Sequence, residues 1–182
     1  AGRLVAEGAG EGRVAVDKGP PRLDGRELPL AAPADTLALD LAAGPLSRPV
    51  AVSMGNPHVV FFVGDAEAVD LAALGPGIET HPLFPERTNV EVAQILPSAD
   101  PAAGRIRMRV WERGAGITQA CGTGACATLV AAVRRGLCPA RAADLILDGG
   151  VLRIEWPEGG AVRMSGAVAT SFTGTLDPSL LA

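Results

Sequence analysis

The sequence predicts an α+β fold in which a mixed or antiparallel sheet wraps about one central helix. Three observations lead there. Short apolar runs recur along the 182 residues, divided by 23 glycines and 15 prolines that follow no period. One stretch alone, about Gly122 to Arg135, is long and apolar enough to be a buried helix. Strands and helices do not alternate as a βαβ repeat requires.

Each element has a local reason. Arg13–Asp17 (RVAVD) alternates in polarity and reads as a strand, followed by the turn Lys18-Gly19-Pro20-Pro21. Thr36–Leu41 alternates too and reads as a second strand. Val50–Met54 and Val59–Val63 read as buried strands flanking Gly55-Asn56-Pro57-His58. Ala66–Leu74 reads as a short helix ended by Gly75-Pro76-Gly77. Asn89–Leu96 and Arg105–Glu112 carry the period of two expected of strands. In the long helix Ala125, Ala127, Leu129, Val130, Ala131, Ala132 and Val133 leave little polar face. Arg134 and Arg135 suit its C-terminal dipole, and Gly136 can end it. Four more strands follow near Ala143–Leu147, Val151–Trp156, Val162–Ser165 and Val168–Leu176.

Composition excludes several function classes. The formal charge of −4 opposes binding to nucleic acid or an anionic membrane. Tyrosine is absent and aromatics are 3%, which removes base-stacking platforms. No apolar run approaches the ~18 residues of a membrane span. The cysteines are Cys121, Cys126 and Cys138, an odd number without a signal-peptide context, so a reducing cytoplasm is expected rather than a disulfide framework. They contain no CxxC pair, and neither His58 nor His81 stands at a zinc-like spacing from them. No metal site is expected.

The sharpest candidate site is Glu112-Arg113-Gly114 followed by Ala120-Cys121-Gly122-Thr123-Gly124. A strand ends, a glycine-rich loop turns, and Cys121 stands at the first turn of the buried helix. Helix N-terminal N–H groups favour thiolate and can hold a carboxylate, so the Cys121 pKa is expected to fall below ~8.5. The alternative is a small buried cysteine of no chemical role. Glu112 and Arg113 read either as a surface ion pair or as an orienting acid beside a carboxylate-binding fork. Asn56 and His58 read either as an Asx-Pro turn with a satisfied histidine or as a polar pair facing substrate. Arg87-Thr88-Asn89 reads as a turn into a strand. Cys126 lies five residues beyond Cys121, roughly 140° around a helix, so the two cannot flank one carbon atom.

Taken together, Gly55-Asn56-Pro57-His58, Glu86-Arg87-Thr88-Asn89-Val90-Glu91, Val110-Trp111-Glu112-Arg113-Gly114 and Ala120-Cys121-Gly122-Thr123-Gly124 resemble diaminopimelate epimerase. The ending from Met164 to Gly174 is also similar to that family's last strands. The resemblance covers nearly the whole chain. It implies a cofactor-independent isomerase that interconverts LL- and meso-diaminopimelate for lysine and peptidoglycan synthesis. The implied fold has two pseudo-symmetric halves, each a barrel-like sheet around a central helix, with one cysteine from each half facing the substrate Cα.

By motif position the resemblance makes Cys121 one of the two thiols, and Glu112 and His58 acid–base helpers. Asn56, Asn89, Glu112, Arg113, Gly122 and Thr123 become substrate contacts. The family's other cysteine lies in a Cys-Gly-Asn-Gly motif, which this sequence lacks. The chain also opens Ala-Gly-Arg-Leu-Val, without methionine. The expectation is therefore a C-terminal half over residues 1–182. Residues 1–20 would be the end of the other half and the crossover, and 167–182 final strands returning toward that missing half. A homodimer is the family's assembly. The alternatives are a non-catalytic half-domain binding amino acids or a partner protein, and a related enzyme such as a proline racemase.

Overall fold

A computed structural model of the chain describes residues 4–10 and 12–181. The expected end of an N-terminal half over 1–20 thus lies partly outside the described residues, as does position 182. The strands are β1 (Ala6–Gly8), β2 (Arg13–Asp17), β3 (Ala42–Ala43), β4 (Leu46–Ser47), β5 (Val50–Ser53), β6 (Pro57–Phe62), β7 (Asn89–Leu96), β8 (Gly104–Glu112), β9 (Gly116–Ile117), β10 (Ala142–Leu147), β11 (Gly150–Glu155) and β12 (Arg163–Ala167). The helices are α1 (Leu71–Glu79) and α2 (Gly122–Arg134), with a short 3-10 turn at Pro178–Leu181.

One ten-stranded sheet runs β1-β2-β12-β11-β10-β8-β7-β6-β5, with β9 added beside β8. It is mixed: β6 with β7 and β8 with β10 are parallel, and the remaining pairs are antiparallel. The sheet curls around α2. Val50, Val52 and Val60 from one arm, Ile106, Met108 and Val110 from the middle, and Leu145 and Ile154 from the other arm all join the core built on Leu129 and Val130. Four alanines of α2 (Ala125, Ala127, Ala131, Ala132) are fully buried there, and their small side chains let strands approach from several sides.

The stretch β5 to β8 is covered on its other face as well. Ala51, Val59, Phe61, Val90 and Val92 pack with Leu71 and Ile78 of α1 and with Leu39 and Leu46. Burial on both faces explains why these strands read as continuous apolar runs. β8 alternates strictly, Ile106, Met108 and Val110 facing α2 and Trp111 reaching the second core.

Four expectations are corrected. The sheet is not a closed barrel: β1 and β5 are its margins, and among the described residues an isolated Arg22–Ser53 bridge links β5 only to the segment that follows β2. Pairing on that side stops after Gly19, at φ +76°, because the Pro20-Pro21 that follows has no N–H to donate. Thr36–Leu41 is no strand. The Asp35 carboxylate accepts from the Leu37 N–H and its carbonyl from the Ala38 N–H, which turns the chain even though Leu39 and Leu41 are buried.

The first helix begins at Leu71, not Ala66, and runs through Gly75-Pro76-Gly77. Asp70 caps it by accepting from the Ala73 N–H, while the Ala66 and Val69 carbonyls are taken by Arg109. Gly75 stays in that helix because the Trp111 ring lies against it; a Cβ there would stand 2.5 Å from a ring carbon. Last, Val168–Leu176 forms no strand. Val168 donates to Gly12, but Phe172 and Leu176 beyond it are exposed and no described strand lies alongside.

Candidate active site

The second helix starts and stops as its sequence dictates. At its C-terminal end Gly136 takes φ +70°, and the Gly136 and Leu137 N–H groups donate to the Val133 and Ala132 carbonyls, which closes the helix. At the other end Cys121 is the N-cap. Its backbone is extended, and its sulfur accepts from the Gly124 N–H at 3.4 Å. The first turn leaves further N–H groups free for an anion. Gly124 is required by space: a Cβ would lie 2.7 Å from Glu91 Oε1 and 3.2 Å from Cys121 Sγ. Gly122 abuts Met164, whose sulfur would stand 3.0 Å from a Cβ.

The strand β6 brings Asn56 and His58 to this helix end. The Asn56 amide donates to Thr123 Oγ1 at 3.3 Å, and Thr123 Oγ1 lies 3.6 Å from Cys121 Sγ. His58 Nε2 is 3.0 Å from Asn56 Oδ1, and His58 Nδ1 is 2.6 Å from Glu91 Oε1. Cys121, Thr123, Asn56 and His58 therefore form one hydrogen-bonded series. His58 does not bond Cys121 directly, since both ring nitrogens are already engaged.

A second group gathers at the β8–β9 hairpin. The Arg113 N–H donates to Asn89 Oδ1 at 2.9 Å, and the Asn89 amide donates to the Pro57 carbonyl at 2.8 Å, which ties the hairpin to the start of β6. Arg113 itself is exposed and reaches the Glu86 carbonyl at 3.0 Å. Glu112 accepts from the Thr118 hydroxyl. Arg113, Glu86, Asn56 and Gly55 line an open cavity of about 370 Å³. A neighbouring cavity of about 550 Å³ is lined by Thr123, Gly55, Met54 and Lys18.

The electrostatics correct one expectation. Burial, and then the Glu91 carboxylate, push the Cys121 thiol up to about 12. Contacts from Thr123 and the Gly124 N–H pull down, and Glu112 adds a smaller upward push. The helix N-terminus is present as expected, but desolvation at 5% exposure outweighs it. Burial also pushes the Cys126 thiol up to about 12.

Sequence reasoning missed two acids. Glu91 was quoted within a motif but given no part, although an acid inside the buried run Asn-Val-Glu-Val-Ala must find a partner. Glu79 terminates α1, a helix whose placement was itself wrong. Glu79 accepts from Trp111 Nε1 at 2.7 Å and from the Gly114 N–H at 3.0 Å, and so anchors the hairpin that carries Glu112 and Arg113.

Comparison with known proteins identifies the family. The family described as diaminopimelate epimerase matches residues 50–170. Curated relatives of that name include one from Rhodospirillum centenum, 62% identical over 94% of this chain and 57% of the relative. Another, from Phenylobacterium zucineum, is 58% identical over 97% of this chain and 63% of the relative. A third, from Acidiphilium cryptum, is 52% identical over 100% of this chain and 64% of the relative. The chain thus spans less than two thirds of the length of these relatives. A solved structure of a predicted epimerase from Pseudomonas aeruginosa superposes over 90% of this chain and 58% of its own, with a TM-score of 0.51 at 22% identity, a likeness of fold. With the family match extending over residues 50–170, this chain belongs to the diaminopimelate epimerase family.

Proposed function

We propose that this chain supplies one half of a cofactor-independent epimerase that interconverts LL- and meso-2,6-diaminopimelate in the cytoplasm, for lysine and peptidoglycan synthesis. The observation that carries the reading is Cys121 at the N-cap of α2, with Thr123, Asn56 and His58 joined to it by hydrogen bonds. The substrate α-carboxylate sits against the first-turn N–H groups beside Gly122 and Thr123. Arg113 and Asn56 hold its other polar groups from the open cavity they border, with Asn89 and Glu112 beside them as further contacts.

The proton count closes. A thiolate on one face of Cα takes the α-proton and becomes a thiol. The electron pair left on carbon is stabilised by the dipole of α2 and the carboxylate contacts. A thiol on the opposite face gives its proton to that carbon and becomes a thiolate. Cys121, buried and held as the thiol, has the form that donates. Glu112 and His58 serve as acid–base helpers at the margins of the site.

Cys126 and Cys138 are both buried in the core and cannot supply the second thiol. It comes instead from a segment outside this sequence, and Phe172, Leu176 and the exposed stretch around them are where that missing half packs. The complete enzyme is a homodimer. The same observation favours a second reading, in which this chain binds the amino acid without turning it over.

The test is α-proton exchange in D2O, followed by NMR on both stereoisomers. The chain alone is expected to give no conversion of LL to meso. Conversion is expected when the unmatched part of the Rhodospirillum centenum relative is added, and is expected to vanish with Cys121→Ala. Full epimerisation by this chain alone would overturn the two-half reading.

A further inference from the structure

The least explained group in the molecule is Glu91. Its side chain is fully buried, its Oε1 is 2.6 Å from His58 Nδ1, and its Oε2 is buried with no hydrogen-bond partner. It sits beneath the first turn of α2, where only a glycine at position 124 leaves it room. A carboxylate placed so, with one oxygen unpaired, is costly unless a positive charge lies against it.

The contacts at His58 say where that charge is. Nε2 faces Asn56 Oδ1, and a carbonyl oxygen only accepts, so Nε2 carries a proton. A contact of 2.6 Å between Nδ1 and Glu91 Oε1 needs a proton between the two atoms. With the Asn56 amide oriented to donate to Thr123, this geometry accommodates one proton at each ring nitrogen.

The consequence reaches the sulfur. With Nε2 donating to Asn56 Oδ1, the Asn56 amide donates onward to Thr123 Oγ1. The Thr123 hydroxyl proton is then free to point at Cys121 Sγ, 3.6 Å away. Every link donates toward the sulfur, which stabilises the thiolate that Cys121 becomes once it has given its proton to carbon. With Nε2 bare, the Asn56 amide would turn to donate to it, the Asn56 oxygen would accept from the Thr123 hydroxyl, and Thr123 would accept from the thiol.

We propose that Glu91 is a positioning residue. Its carboxylate holds the second ring proton of His58, and so sets the donor direction of the His58–Asn56–Thr123 series toward Cys121. This deepens the function proposed above and rests on that reading of the site.

The test is long-range proton–nitrogen correlation NMR on the 15N-labelled chain at pH 7, without substrate. Only His58 and His81 contribute imidazole signals. His81 is an internal reference with a bare Nδ1, which accepts from the Leu83 N–H. The expected spectrum shows both His58 nitrogens in the protonated band. In Glu91→Gln one of them moves to the bare band, since a neutral amide cannot hold the extra proton. A bare nitrogen on His58 in the unsubstituted chain would overturn the proposal. So would a doubly protonated ring that persists in Glu91→Gln. Should Glu91→Gln not fold, Glu91→Asp replaces it: partial loss of the second proton supports the proposal, and no change overturns it. The ring is observed without turnover, so failure here is separable from failure of the epimerase reading.

Discussion

Two acids are buried on opposite faces of the same sheet, and their surroundings differ. Glu79, on the α1 side, has both oxygens satisfied: one by the Trp111 indole, the other by the Gly114 N–H with Arg87 3.5 Å away. The Trp111 contact outweighs burial and holds its carboxyl below the ordinary value of 4.5. Glu91, on the α2 side, has one imidazole and one orphaned oxygen. The first acid is a bracket, since its hydrogen bonds end on atoms that only need to stay in place. The second is next to the only thiol at a helix end among the described residues, and its hydrogen bond ends on a ring whose protons bear on that thiol.

Three experiments break or sharpen that contrast. The largest effect is expected from alkylating Cys121, identified by mass spectrometry of the labelled peptide. With the thiol near 12, reaction follows the small thiolate fraction and climbs about tenfold per pH unit from 7 to 11. A rate that levels off near pH 8 would show that the helix N-terminus prevails over burial after all.

Next in size is the pair Glu79→Ala and Glu91→Gln, compared by urea unfolding. Losing charge-assisted bonds to Trp111 and Gly114 is expected to cost about 3 kcal/mol, with a change in Trp111 fluorescence as the hairpin loosens. Glu91→Gln lets His58 give up its second ring proton, so no buried charge is left unpaired, and is expected to cost about 1 kcal/mol. Equal costs would erase the distinction between bracket and positioning residue. The pH dependence sharpens it. Because the folded Glu79 carboxyl titrates below its ordinary value, its stabilisation is present above pH 4.5 and is lost as pH falls through the lowered value. Glu79→Ala should therefore flatten the acid limb of the stability profile.

An effect smaller than that of Glu79→Ala is expected from Gly124→Ala. Its methyl would meet Glu91 Oε1 at 2.7 Å, so a loss of about 1–2 kcal/mol is expected, offset in part by alanine's better helix propensity. Combining it with Glu91→Gln tests whether the contact is the cause. The two changes should fail to add, since they act on the same pair of atoms.

Much of this was legible in the residues. The α2 boundaries, its glycine stop and the strands from β5 to β8 follow from period, capping and turn chemistry, all of which act within a few residues. Failures came where a distant group intervened. Gly75-Pro76-Gly77 reads as a helix stop, yet Trp111 from β8 packs onto Gly75 and the helix runs through. Thr36–Leu41 alternates like a strand, yet Asp35 turns it. At the site, Cys121, Asn56, His58, Asn89 and Arg113 were named from motifs, while Glu91 and Glu79 were not, because an acid in a strand or at a helix end has no local signature of its partner.

By itself, then, the sequence determined most of the elements, the cysteine at the start of the long helix and the family, because these depend on neighbours in the chain. The tertiary structure decided that the sheet curls around α2 without closing, because Pro20-Pro21 meets β5 through Arg22 alone. It also decided the charge state of the site. Whether Cys121 is thiol or thiolate depends on how much water burial removes and on which carboxylate lies beneath it, and Glu91 comes to that place from thirty residues away in sequence.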